Sequence, residues 1–368
     1  MSGPKAPKMV TIIIPCYNIE PYIRPCLRSI MEQKIINRCQ VLCIDDGCTD
    51  GTTKHIEQYA KKNPDVITIL DRKTKRGVKN GGVSAARNLG LDNTIGQTVM
   101  FVDGDDIIGG IPEFMHHIDR YYLEEFYDAL MSQPDTAMIV GKMDYIDPKC
   151  TKIIQTKRFD TLNDRLSRQI SKIDQQLDFL DLRISSCNTL YRTDIINKPN
   201  NAYCLRFNTN MMYFEDADFV MRYAFRALEE KYKQILNTTK NPVYYFYRNR
   251  PHSAMHKLSP EHSESTMRCF DRTKKRLEYY ANLINMCEAN FGTSSRIYNI
   301  AAHRYANKTA SDITKYSTLG NSYEAEYNHL LDFIPDDCSH DCVNNDCGNC
   351  GYQYKLKYLC NKLLTHTK

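Results

Sequence analysis

The chain has 368 residues, 42% hydrophobic and 25% charged, with a net charge of +5 from 49 basic and 44 acidic side chains. That is enough apolar chain for one large domain with an appendage or two modest domains, and it excludes a disordered polymer. The charges are interspersed, so no basic arm for nucleic acid is expected, and no stretch supplies the roughly 18 consecutive apolar residues of a membrane span. Met1 to Lys8 carries charge without an apolar core, which predicts a soluble, cytoplasmic protein. Mean hydropathy is −0.53 and Trp is absent while Tyr numbers 25, so stacking contacts in a cleft must fall to Tyr or Phe.

Val10-Thr11-Ile12-Ile13-Ile14, stopped at Pro15, predicts a buried strand by its length and β-branching. A helix is then expected over 21–33, a strand over 40–44, a helix over 50–61, a strand over 66–70, a helix over 81–91 and a strand over 98–102. This β-α-β-α-β order predicts an α/β layered domain with a mostly parallel central sheet. Beyond it the pattern predicts a helix over 112–131, a strand over 137–140, a loose charged region over 147–174 and a strand over 186–191. A helix over 216–230 and a tyrosine-rich strand over 243–247 follow, and 261–310 reads as helical with little β content. The expected division is an α/β domain over 1–256, a helical region over 257–334 and a Cys-rich tail over 335–368.

In open α/β sheets ligands lie beyond the carboxyl ends of the strands. Here those ends carry Pro15-Cys16-Tyr17-Asn18, Asp45-Asp46-Gly47-Cys48-Thr49-Asp50 and Asp103-Gly104-Asp105-Asp106. Asp103, Asp105 and Asp106 repel one another unless a cation neutralises them, and hard carboxylate ligands suit magnesium or manganese. The alternative is a solvated acidic turn with Asp105 capping a following helix.

Fifteen cysteines are present, ten of them scattered singly before residue 338 as small buried hydrophobes often are. The other five crowd the tail, where Cys338 and Cys342, then Cys347 and Cys350, are spaced to wrap a structural zinc; a disulfide staple or free thiols are the alternatives.

Four motifs stand in order: Ile14-Pro15-Cys16-Tyr17-Asn18, Ile44 to Gly51, Gly82 to Leu91 (with Ser84-Ala85-Ala86-Arg87-Asn88) and Phe101 to Asp106. With them the chain resembles glycosyltransferase family 2, whose members have the GT-A fold. The family usually has Ser where this chain has Cys48. The resemblance spans about residues 9–256 and implies an inverting transfer of a sugar from a nucleotide-diphosphate sugar, a UDP-sugar by preference, to a hydroxyl on a glycan, lipid-linked or protein acceptor. It implies that Pro15 and Tyr17 line the nucleotide pocket, that Asp46 accepts from the base, that Arg87 faces the nucleotide or its phosphates, and that Asp103 reaches the ribose or a metal-bound water. Asp105 and Asp106 would stand at Mn2+ or Mg2+, either of them as the direct ligand.

Tyr213-Phe214-Glu215-Asp216-Ala217-Asp218 resembles the family's Glu-Asp pair before a helix. An inverting transfer needs a carboxylate to take the acceptor's proton; Asp216 is the expected base, with Glu215 orienting it and Asp218 in reserve. Their placement in a helix's first turn would also be met in a plain acidic cap. Arg248-Asn249-Arg250-Pro251-His252-Ser253-Ala254-Met255-His256 matches a basic loop near the donor phosphates, through Arg248 and Ser253, with His256 as a further metal ligand or a surface residue. Two other classes share some of these features. A nucleotidyltransferase would need a Gly/Arg/Lys-rich triphosphate loop after the first strand, which residues 15–20 do not supply; a non-catalytic binding module would be indifferent to loss of the carboxylates.

Overall fold

In this computed structural model the first strand forms where branched side chains crowd, because both its faces are covered. The structure describes residues 7–71, 81–110, 120–141, 143–155, 171–172, 185–197, 204–211, 214–230, 232, 234–237 and 245–250, with single positions at 279, 282 and 285. The helical region after 256, apart from those positions, and the Cys-rich tail lie outside the described residues. The chain divides into two units, Met1–Ser253 and Ala254–Lys368.

The described elements begin with β1 (Val10–Cys16), α1 (Glu20–Met31), β2 (Cys39–Asp45), α2 (Thr52–Lys62), β3 (Ile67–Asp71), α3 (Gly82–Asp92) and β4 (Thr98–Phe101). They continue with β5 (Ile107–Ile108), α4 (Tyr122–Met131), β6 (Thr136–Val140), β7 (Met143–Ile146), β8 (Ile153–Gln155), β9 (Ser171–Lys172) and β10 (Thr189–Arg192). Last come α5 (Thr193–Ile196), α6 (Glu215–Glu229), β11 (Gln234–Asn237) and β12 (Tyr245–Arg248).

The main sheet has the order β3-β2-β1-β4-β10-β6-β11-β9. β3, β2, β1 and β4 are parallel, as the alternating pattern predicts; β10 runs against its neighbours β4 and β6, and β9 runs against β11. Val10, Ile12, Ile13 and Ile14 are fully buried. α3 lies so close to β1 that a Cβ on Gly90 would come within 2.4 Å of Ile13 Cγ2. Register pairs Cys16 with Asp45 and Ile13 with Phe101, so the polar ends of β1, β2 and β4 meet at one edge.

α6 is seated by an aromatic cluster: Phe219 stacks on Phe207 at 4.1 Å between centroids and meets Phe101 and Tyr191 edge-on. Such pairs fix relative orientation as well as burying area. The first turn of α6, with Glu215 and Asp216, is thereby held near the end of β4.

Several expectations change. The acidic run is followed by the strand β5, so no helix is there for Asp105 to cap. The helix expected over 112–131 begins only at Tyr122 and runs to Met131, because residues 120–121 form a turn that ends in its N-cap; 111–119 lie outside the described residues. The strand expected from 186 begins at Thr189, because Asn188 takes a left-handed turn with φ 58°. A second sheet, β5-β12-β7-β8, was not expected, although its strand β12 was: its strands are two to four residues long, and β12 pairs with β5 and β7 across more than a hundred positions of sequence. Among the described residues no helix is long and apolar enough to cross a membrane.

Candidate active site

The acidic run leaves β4 under tight steric control. A Cβ on Gly104 would lie 2.4 Å from Ile19 Cδ1 and 3.3 Å from the Pro15 carbonyl, so a larger residue would have to push the Ile19 side chain aside for the run to keep its place against the end of β1. The three carboxylates then diverge. Asp106 is 1% exposed; its Oδ2 accepts from the Tyr245 hydroxyl at 2.7 Å and its Oδ1 from the Arg248 amide at 2.8 Å. Burial, then the charges of Asp105 and Asp103, pushes its carboxyl well above the usual range, against the pull of these two donors. The Tyr245 hydroxyl also accepts from the Asp103 amide at 3.2 Å. Asp103 and Asp105 keep 29% and 17% of their side chains exposed.

Arg87 is buried and joins two motifs. Its Nη2 donates to Asp103 Oδ1 at 2.9 Å and its Nη1 to Asp216 Oδ1 at 2.6 Å, while Glu215 Oε1 lies 3.7 Å from Nη1. Burial opposes the charge on Arg87, but Asp216 and Asp103 outweigh it and raise its pKa well above the usual value. Ser186 Oγ donates to the same Asp216 oxygen at 2.7 Å. Glu215 is pushed up from 4.5 to about 7 by burial first and by the neighbouring Asp216 charge second. Phe214, with φ 64°, turns the chain directly before this pair. Asp218 instead pairs with Arg222 one turn along α6.

At the ends of β1 and β2, Tyr17 is 46% exposed and Pro15 half-buried. Asp46 is buried, and its two carboxylate oxygens accept from the amides of Gly81 and Gly82 at 3.1 and 3.0 Å. It thus caps the start of α3 from a distant strand end. Asp45 holds its own loop, accepting from the Gly47 and Cys48 amides and the Thr53 hydroxyl; these bonds lower its pKa in spite of burial, which acts the other way. Cys48 is buried in that loop and its thiol donates to the Cys16 carbonyl, a contact that a serine hydroxyl could also make.

Arg248 is 4% exposed; its Nε donates to the Asp105 carbonyl at 2.8 Å and its Nη1 to the Pro148 carbonyl at 3.1 Å. Arg250 Nε donates to Asp105 Oδ2. Ser253 and His256 lie outside the described residues, as does the tail proposed for zinc. Among the described residues no group of three or more His, Cys, Asp or Glu is placed to hold a metal ion. A magnesium- or manganese-type ion needs only one or two carboxylates when phosphate and water complete its shell. The half-open Asp105 and Asp103 fit that demand better than Asp106, whose oxygens are both committed.

Ser186, Tyr245 and Arg250 were not singled out from sequence. Arg250 stands inside a motif that was read; Ser186 and Tyr245 are remote in sequence from the acids they touch, and only the fold joins them. Residues 11–198 match the family described as glycosyl transferase family 2. A teichoic acid poly(glycerol phosphate) polymerase of Staphylococcus epidermidis is 27% identical over 216 residues, 58% of this chain and 26% of that protein. A poly(ribitol-phosphate) beta-glucosyltransferase of Bacillus spizizenii is 37% identical over 101 residues, 27% of this chain and 15% of that protein. The chain thus spans only a small part of these curated relatives. S. aureus TarS 1-349, solved in complex with UDP-GlcNAc, superposes with a TM-score of 0.65 at 18% identity, over 98% of this chain and 89% of that one. The mannosyltransferase PcManGT of Pyrobaculum calidifontis, solved with GDP-Man and Mn2+, gives 0.52 at 15% identity, over 99% and 90%. With the family match covering just over half of the chain and the parallel sheet ending in its acidic run, this protein belongs to glycosyltransferase family 2.

Proposed function

We propose that the chain transfers a sugar from a nucleotide-diphosphate sugar, a UDP-sugar by preference, to a hydroxyl acceptor by a single inverting displacement. The observation that carries this is the Asp103–Arg87–Asp216 bridge, which ties a donor-side carboxylate to the acid of the Glu-Asp pair through one buried guanidinium. Asp216 takes the proton of the attacking hydroxyl. Arg87 and Ser186 both donate to its Oδ1, which fixes the carboxylate and leaves Oδ2 to receive that proton. Glu215, whose pKa is raised, keeps its proton into the neutral range and in that form donates a hydrogen bond to the sugar.

On the donor side, exposed Tyr17 and half-buried Pro15 offer a face to the base, and Asp46 borders the same strand ends. Asp105, with Asp103 beside it, would hold a divalent ion, while Asp106 braces the run from below through Tyr245. Such an ion, when bound, would neutralise the leaving diphosphate. Arg248, at the end of β12, would face that diphosphate, while Ser253 and His256 keep the roles that the resemblance implies. Glycan, lipid-linked and protein hydroxyls are the acceptor classes, and the polyol phosphates named for the relatives belong in the panel.

The test is release of nucleoside diphosphate from a panel of nucleotide sugars with Mn2+ and these acceptors. Turnover with one donor is expected, and Asp216→Asn should lower kcat by at least about a thousandfold while leaving UDP affinity within a few-fold. Full activity in that variant would refute the assigned base. The absence of both nucleotide binding and diphosphate release with every donor would refute the transferase reading.

A further inference from the structure

Arg248 and Arg250 approach one ring: their guanidinium carbons lie 5.0 and 5.5 Å from the centroid of half-buried Tyr22. Two guanidinium groups so close repel unless acceptors separate them. Asp105 does this with two different groups, giving its backbone carbonyl to Arg248 and its carboxylate Oδ2 to Arg250. The arrangement leaves one polar atom over. Arg248 Nη2 is buried and has no hydrogen-bond partner among the described residues. A buried cationic donor without an acceptor is costly, and it marks a place where an anion would be stabilised.

Asp105 Oδ2 therefore has two possible counter-cations, the Arg250 guanidinium and a divalent metal. Brought to the same oxygen the two cations repel, so each weakens the other's hold on it. We propose that Arg250 is the protein's own counter-cation for Asp105 and that it changes partner when the donor binds. The metal takes Asp105 Oδ2, and Arg250 turns to the donor's diphosphate beside Arg248 Nη2. This rests on the metal and diphosphate reading given above. The exchange makes the two ligands cooperative: metal alone must displace Arg250 with nowhere for it to pair, and diphosphate alone must draw Arg250 away from a carboxylate left without a cation. Such coupling is reciprocal.

The experiment titrates the full chain with Mn2+, reading free ion by its paramagnetic resonance signal, with and without UDP. The proteins compared are wild type, Arg250→Gln, Arg250→Lys and Asp105→Asn, each checked for an unchanged melting transition. Without UDP, Arg250→Gln should bind Mn2+ at least about fivefold more tightly than wild type, and UDP should then strengthen Mn2+ binding much less than in wild type. Arg250→Lys, which keeps the charge, should stay near wild type. If Arg250→Gln binds Mn2+ no better than wild type while Asp105→Asn loses it, the exchange is overturned and the metal site stands. If Asp105→Asn matches wild type with and without UDP, the metal site fails and the exchange with it.

Discussion

Glu215 changes charge near neutral pH, far above an ordinary carboxylic acid. Its pKa rises from 4.5 to about 7, because burial and the adjacent Asp216 disfavour its charged form. The folded protein therefore holds a proton that the unfolded chain releases. Stability from this group is greatest below about pH 4.5 and declines as pH rises to about 7, at no more than about 1.4 kcal/mol per pH unit. If neutral Glu215 donates to the sugar, kcat/KM should fall as pH rises through about 7. Glu215→Gln, which still donates but cannot ionise, should remove that limb of the profile; an unchanged limb would assign it to another group. The Glu-Asp pair was legible in the sequence as two acids before a helix. Their different surroundings were not, because the burial of Glu215 and the grip of Arg87 on Asp216 come from parts of the chain more than a hundred residues away.

At the scale of elements, α3 is positioned by a carboxylate outside it. Asp46, at the end of β2, receives the Gly81 and Gly82 amides, and Arg87 projects from the helix that this contact starts. Removing the acceptor with Asp46→Ala should cost about 0.5–2 kcal/mol, as loss of a helix cap does, seen as a lower midpoint in urea. It should also lower kcat, because the Arg87 bridge shifts with its helix, and Asn at this position should restore much of both. The motif order predicted the strand, turn and helix here, since branching, glycine placement and spacing are local signals. The aim of the Asp46 side chain is a tertiary fact: the resemblance points it at a base, while the structure gives it two backbone amides across the crevice.

At the scale of the molecule, Tyr245 ties the second sheet to the first. Its hydroxyl accepts from the Asp103 amide and donates to buried Asp106, so β12 sets the path of the acidic run. Tyr245→Phe leaves a buried carboxylate oxygen without its donor and should destabilise the protein by about 1–3 kcal/mol. A melting temperature equal to wild type would show that β12 does not brace the run. The sequence by itself determined the parallel half of the sheet, the strand ends that carry the motifs, and the identity of the acids. The strand ends and the acids follow from hydrophobic period, chain breakers and residue type close by in the chain, and the parallel pairing from the alternation of strands and helices. Only the tertiary structure decided that Asp106 is enclosed while Asp103 and Asp105 stay open, that Arg87 spans Asp103 and Asp216, and that Arg250 holds Asp105. These outcomes depend on which distant donors reach each carboxylate and how much water is excluded around it, and neither is written in local sequence.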